Sequence, residues 1–446
     1  MSDFVHLHCH STFSALDGVA TPAEYFQACA ERGYVAHALT EHGNMASVPD
    51  AYWASQDTGV KMIAGCELYY NDYEEKRREI EASGQKIREI DDEVRKTRLI
   101  RQRHLTVLCK TMDGYRNLLS IRKASYDYVY YKPRANIKML HKFKDDLLIL
   151  SGCMNGPISF ELRAYVATEN EEYWIKAIKT ANIFKKIFKD DFYIELQMPG
   201  IEDDVPLFSA LYRLADELKI KTVITNDAHY ITEADYNIQR IMMSVDQNLP
   251  FNSPNLFISD SSSGYLKTRK ELINTFENGH ILNDRVLPSY NVDGITLSDF
   301  ERSCDATLEI AEKCDNFNPD MSTKLPIIED EGDKLWKLVI QGLEDNGLED
   351  NEVYIERAKF EMSRIVDKEF CSYFLICRDL VRKSTVDLNM PVGPRGSAGG
   401  SLVCYLIGIH EIDPIEWELS FDRFLSSSRG GKMLRVNLDR DKVVGE

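Results

Sequence analysis

The chain has 446 residues, 43 % of them hydrophobic and 10 % aromatic, enough apolar material for two or three packed domains. Its 54 basic and 72 acidic residues leave a net charge of −18, which excludes a uniformly basic surface that coats nucleic acid. A local basic groove over 98–144 stays open beside the plainer reading of a solvated face.

Residues 4–10 alternate, with His6, His8 and His10 on one face and Val5, Leu7 and Cys9 on the other, as a strand's period of two requires. The opening reads as the approach to this strand rather than a signal peptide, and no apolar run has membrane length. Ten cysteines stand singly without a CxxC pair, which fits reduced thiols in a cytoplasm. A helix follows from the cap-like Thr21 through Arg32. Strand-like runs recur at 35–40, 62–66, 105–109, 147–150, 192–196 and 222–225. Helical patterns lie between them, such as the stripe Leu207, Leu211, Leu214 and Leu218. Repeated β then α predicts an α/β barrel. The charged stretch 72–103, apolar at Ile80, Ile87, Ile90 and Val94, reads as a helical excursion from it. Irregular zones at 248–264 and 278–298 place the domain boundary near 270, giving 1–270 and 271–446. The second part is mainly helical, with Phe300, Cys304, Leu308, Ala311 and Cys314 at helical spacing before a glycine-rich turn at 393–400.

Nine candidate metal ligands run along the first part: His8, His10, Asp17, His42, Glu67, His104, Cys153, Asp227 and His229. Most stand where a strand-like run ends, and a barrel gathers such ends at one mouth. His8 and His10, two apart on a strand, send both imidazoles from one face, and Asp227 with His229 repeats that spacing. Glu67, His42 and Cys153 also close apolar runs, whereas His104 precedes its run. A lone His or Asp in a barrel is more often packing or a cap. It is the coordinated pairs, with Glu and Cys between, that point to a cluster. Imidazole, carboxylate and thiolate together suit zinc, manganese or iron better than magnesium alone, and nine donors exceed one ion's needs. Adjacent divalent ions serve phosphoester hydrolysis, lowering the pKa of a water and neutralising phosphate charge. His6 is expected to pack deeper in the strand, and Glu41 to orient an imidazole.

Val5-His-Leu-His-Cys-His-Ser-Thr-Phe-Ser-Ala-Leu-Asp-Gly18, Leu39-Thr-Glu-His-Gly-Asn44 and Thr225-Asn-Asp-Ala-His-Tyr230 resemble the PHP (polymerase and histidinol phosphatase) domain. The form most resembled opens bacterial C-family replicative polymerases, the DNA polymerase III alpha subunits. His104-Leu-Thr-Val-Leu-Cys-Lys110, Tyr131-Lys-Pro-Arg134 and Ser151-Gly-Cys153 agree with it. The resemblance runs essentially from end to end. It implies an α/β fold, a PHP-type distorted (β/α)7 barrel followed by a mainly helical, incomplete polymerase palm. It also implies that all nine positions are ligands for up to three ions and that the site is a 3′–5′ exonuclease. Glu41 stands where the family usually has Asp.

The turn 392–402 contains Gly396, Ser397, Gly400 and Ser401 and leads into an apolar helix, an arrangement that lets backbone N–H groups approach a triphosphate. By the resemblance these four residues hold incoming nucleotide phosphate, in a turn one residue shorter than usual. Asp439 and Asp441 alternate as palm carboxylates for magnesium would, against the reading of an exposed polar tail, and the family's third aspartate does not follow. The expected partners are a DNA primer-template, a deoxynucleoside triphosphate if the palm is completed, and a second chain supplying the remainder of a split or truncated, phage-like polymerase. Two alternatives stand beside this: a metal-stabilised scaffold that docks the rest of the polymerase, and a small-molecule phosphatase or pyrophosphatase.

Overall fold

Six apolar runs form one curled sheet: β1 Ala36–Leu39, β2 Lys61–Tyr70, β3 Arg103–Cys109, β4 Leu147–Leu150, β5 Phe192–Gln197 and β6 Thr222–Thr225, in that order from edge to edge. The computed structural model describes residues 3–425 apart from 91–92, 200–203, 254–255, 257–262, 283–284, 293, 321–325, 327 and 394–395. Strands β1 and β4 are buried at every position, the burial pattern of a sheet covered on both faces.

The sheet is mixed rather than all parallel. β1 pairs parallel with β2, and β4, β5 and β6 run parallel, but β3 is antiparallel to both β2 and β4. The 72–103 excursion is therefore the long connection between two antiparallel neighbours. It forms helices Glu74–Ala82 and Glu93–Ile100 around its own small core of Ile80, Ile87, Ile90 and Leu99.

Residues 4–10 form no ladder strand. They are an extended segment that touches both sheet edges, His6 bridging His37 of β1 and Cys9 bridging Ala228 beyond β6. His10 N donates to Ala228 O at 2.8 Å and Ala38 N to His6 O at 3.0 Å, so the curled sheet closes through this seventh member. Passing from one edge to the other breaks the expected alternation. Phe4 and Cys9, five apart, join one apolar cluster while Val5 and Leu7 join another. His6 consequently leaves the face of His8 and His10 and bonds the Lys267 carbonyl at 2.7 Å.

Thr21 caps helix Pro22–Glu31 through a reciprocal pair with Glu24, and helix Asp204–Leu218 buries Leu207, Leu211 and Leu214 as its stripe requires. Helix Leu297–Lys313 sends Phe300 and Cys304 into the main core and packs Ala306, Ile310 and Ala311 among Val5, Leu7, Ala36 and Val223 of the sheet. That burial corrects the boundary expected near 270: the first compact unit extends to Pro319.

The second unit begins at Asp320 and is helical, with Glu331–Asp345, Glu352–Asp367, Cys371–Arg382 and Leu402–Leu406 around Leu335, Val339, Ala358, Ile365 and Leu402. Gly342 is required at one crossing, since a Cβ there would lie 2.1 Å from the Leu406 carbonyl oxygen. Asp439 and Asp441 lie outside the described residues. Among the described residues, no helix is long and apolar enough to cross a membrane.

Candidate metal centre

Every one of the nine expected ligands reaches one end of the curled sheet. Strand reversal explains His104: β3 runs opposite to β2, so its first residues lie level with the last residues of β2, His104 opposite Tyr69. Glu67 sits near the end of β2, His42 follows β1 and bridges Glu67, Cys153 follows β4, and Asp227 and His229 follow β6. Asp227 holds φ at +47°, a left-handed backbone that a non-glycine residue rarely adopts.

The donors fall into three overlapping groups: His8, His10 and Asp227; His42, Glu67 and His104; His10, His42 and His229. Within each group the donor atoms lie within 4.8 Å of one another. Asp17 Oδ2 stands 3.0 Å from His42 Nε2 and 3.4 Å from His229 Nε2, and Cys153 Sγ lies 3.5 Å from His104 Nδ1. A cavity of about 230 Å³ opens onto Asp17, His42, His104, Cys153, Asp227 and His229, while His8, His10 and Glu67 are wholly buried.

Three imidazoles have their tautomer fixed from behind. Glu195 Oε1 accepts from His8 Nδ1 at 2.6 Å, and the Asp227 carbonyl accepts from His229 Nδ1 at 2.7 Å. Ser14 gives its only proton to Glu41 at 2.5 Å, so at 3.0 Å its Oγ accepts from His10 Nδ1. Each turns its Nε2 toward the cluster, the nitrogen whose lone pair a metal would take once its proton is displaced. Glu41 thus reaches an imidazole through Ser14, and that imidazole is His10 rather than its neighbour His42.

Metal fits these residues by a direct test: the buried atoms His8 Nε2, His10 Nε2, Glu67 Oε1 and Asp227 Oδ1 make no hydrogen bond and meet only other donors of the cluster, His10 Nε2 at 3.2 Å from Asp227 Oδ1, His8 Nε2 at 3.4 Å from both carboxylates and His104 Nδ1 at 3.0 Å from Glu67 Oε1. Unpartnered polar atoms of this kind are costly unless a further group meets them. The electrostatics agree. Burial, with Glu67 and Asp227 nearby, pushes the Cys153 thiol well above its usual range, so thiolate forms there only beside added positive charge. Burial and the neighbouring His42 and His229 lower His10 to about 3, keeping it a neutral donor. Burial also opposes charge on His42, yet Glu67 and Asp17 outweigh it and raise this group to about 10. Without metal, protons hold the carboxylates together.

Sequence reading missed Glu195, which accepts from Thr225 Oγ1 at 2.6 Å, Gly152 N at 3.0 Å and Thr106 Oγ1 at 3.2 Å while holding His8. Its signal was a carboxylate in an apolar strand at a position level with the other strand ends. Gln239, donating to Asp17 Oδ1 at 2.9 Å, carried no signal at all.

In the second unit the four expected phosphate-binding residues divide. Gly396 and Ser397 are exposed, whereas Gly400 and Ser401 are buried. Ser401 Oγ, Leu402 N and Val403 N all donate to the buried Glu361 carboxylate at 2.8–3.0 Å, so the amides at that helix start are already engaged.

A profile of the PHP domain matches residues 6–199, which include His8 through Cys153 but stop before Asp227. A second profile, the bacterial DNA polymerase III alpha NTPase domain, matches residues 333–433. The DNA polymerase III subunit alpha of Campylobacter jejuni is 30 % identical over 96 % of this chain and 35 % of its own length. That of Aquifex aeolicus is 31 % identical over 99 % of this chain and 37 % of its own. The chain thus spans about a third of the length of these curated relatives. A solved structure from Bifidobacterium adolescentis, described as a candidate metal-dependent phosphoesterase, aligns with 51 % of this chain and 87 % of its own. Its 11 % identity and TM-score of 0.28 are too remote to carry an argument. With both profiles in order along one chain, and relatives of one kind aligned over nearly all of it, the chain belongs to the DNA polymerase III subunit alpha family, of which it carries the PHP domain and the NTPase-domain segment.

Proposed function

We propose that the metal centre is a phosphoesterase that removes nucleotides from the 3′ end of DNA. The observation that supports it is the convergence of nine donors, four of them with a buried atom that makes no hydrogen bond and six of them lining an open cavity. His8, His10, Asp17, His42, Glu67, His104, Cys153, Asp227 and His229 would hold up to three ions of zinc, manganese or iron, which when bound supply an activated water and neutralise phosphate charge. Glu195, Ser14 and the Asp227 carbonyl keep the imidazoles in the ligating tautomer.

The test is a 5′-labelled primer annealed to template with Mn²⁺ or Zn²⁺, beside His8→Ala/His10→Ala. Stepwise shortening from the 3′ end that disappears in the double variant is expected. Shortening that persists would remove the proposal.

A second reading makes the centre a metal-stabilised scaffold that docks the remaining polymerase, favoured by the buried donor atoms that make no hydrogen bond, which a cation would stabilise whether or not substrate is turned over. A folded, metal-loaded chain with no nuclease activity under any of these metals would select it. In the second unit, Gly396 and Ser397 keep the exposure that contact with a nucleotide phosphate needs, and magnesium and a primer-template would serve polymerisation only with further carboxylates in place.

A further inference from the structure

In the first unit, a cavity of about 250 Å³ that none of the nine donors lines lies between the excursion and helices Pro157–Thr168 and Glu171–Phe188. Arg98, Arg103, Lys176 and Lys179 reach it, against Glu161 and Asp72. The carboxylates are already committed. Glu161 takes Arg98 in a two-point pair at 3.0 and 2.6 Å, and Asp72 accepts from the Tyr70 hydroxyl and, at 2.8 Å, from Ile137 N. Lys176 donates to Glu172 at 2.6 Å from the exposed rim.

Arg103 differs from the others. It is 9 % exposed, stacks on Phe160 at 3.5 Å from the ring centroid, and its Nη2 is buried with no hydrogen-bond partner. Among the described residues no carboxylate lies within ion-pair distance of it. A guanidinium seldom remains buried without an anion, because removing it from water costs several kcal/mol, roughly, that only a charge partner returns.

We infer that this cavity is a phosphate-binding site, with the Arg103 guanidinium as its buried anchor and Lys176 and Lys179 as its rim. The fork of Arg103 matches two phosphate oxygens, and Phe160 holds its plane. Both a phosphate of a DNA strand and a free phosphate or nucleotide present that chemistry. The inference is independent of the metal reaction.

The test uses the full chain freed of metal with EDTA. Inorganic phosphate and, separately, a 5′-phosphorylated single-stranded oligonucleotide are titrated calorimetrically at low salt. Phosphate binding is expected, weakened at least about tenfold by Arg103→Met and about threefold by Lys176→Ala/Lys179→Ala, whose exposed positions leave folding intact. Asp227→Asn, in the metal centre, should leave it unchanged. Oligonucleotide that displaces phosphate identifies the strand as the source, and phosphate binding without oligonucleotide binding identifies the free anion. No phosphate binding by the metal-free wild type, binding indifferent to both cavity variants, or binding lost in Asp227→Asn would overturn the assignment.

Discussion

Ser14 is a serine among histidines and carboxylates, and its single proton decides how His10 presents itself. Because Glu41 takes that proton, Ser14 can only accept from His10 Nδ1. Ser14→Ala frees His10 to rotate or change tautomer without removing a ligand, so metal affinity should fall about 10- to 100-fold, read by metal competition with a chromophoric chelator. A fall no larger than that of a surface serine variant such as Ser120→Ala would show that His10 is held by packing alone. Lys267 makes a different kind of residue-scale prediction. It is fully buried, donates to Ser263 Oγ, and burial lowers it to about 7 against the weaker opposing fields of Glu271 and Glu233. Its folded pKa lies below the unfolded value of 10.5, so between pH 7 and 10.5 the unfolded chain holds a proton that the native chain does not. Stability therefore rises with pH through that window and levels off below 7. From pH 7 to 9.5 the contribution is about 3 kcal/mol, and denaturant titrations of Lys267→Met should lack that slope relative to wild type. Equal slopes would refute the burial argument.

Element by element, the parts of the centre that were legible in sequence are those whose register is local. His8 with His10 and Asp227 with His229 declare themselves by spacing, and Glu67 and Cys153 by closing apolar runs. Strand direction is not local. The excursion at 72–103 and the misplacement of His104 before its run were both visible, yet only the sheet shows them to be one fact, the reversal of β3. The alternation of 4–10 misled over His6 for a related reason: the segment passes from β1 to the end of β6, and nothing in an HxHxH pattern records two different partners. Glu195 was hidden because a strand carboxylate looks like solvent-facing polarity until both faces are known to be covered. Reversal of β3 also brings the Cys153 loop against its start. Gly152, at φ +84°, would place a Cβ 2.1 Å from the His104 carbonyl oxygen. Gly152→Ala should therefore separate Cys153 from His104, costing about 2–4 kcal/mol and reducing bound metal, as thermal unfolding and metal analysis would show. Unchanged metal content at an unchanged melting temperature would mean that the loop accommodates the methyl elsewhere.

At the scale of the whole chain, two units rest on unlike foundations. The first, through Pro319, closes its sheet around donors of which four keep a buried atom without a hydrogen bond, so metal binding adds directly to its stability. The second is organised by a buried carboxylate of its own. Glu361 gathers Ser401, Leu402 N and Val403 N at the start of one helix and pairs with Arg357 at 2.7 Å, leaving no role for metal among these contacts. Glu361→Ala strands two amides and the Ser401 hydroxyl and removes the ion pair of Arg357, at a cost of about 3 kcal/mol. Scanning calorimetry of the full chain should then separate the two effects. Chelation should lower the transition of the first unit and spare that of the second, and Glu361→Ala should do the reverse. A single transition that moves under both treatments would instead show that the units unfold together, and would make the metal centre a support for the polymerase segment as well as for its own barrel.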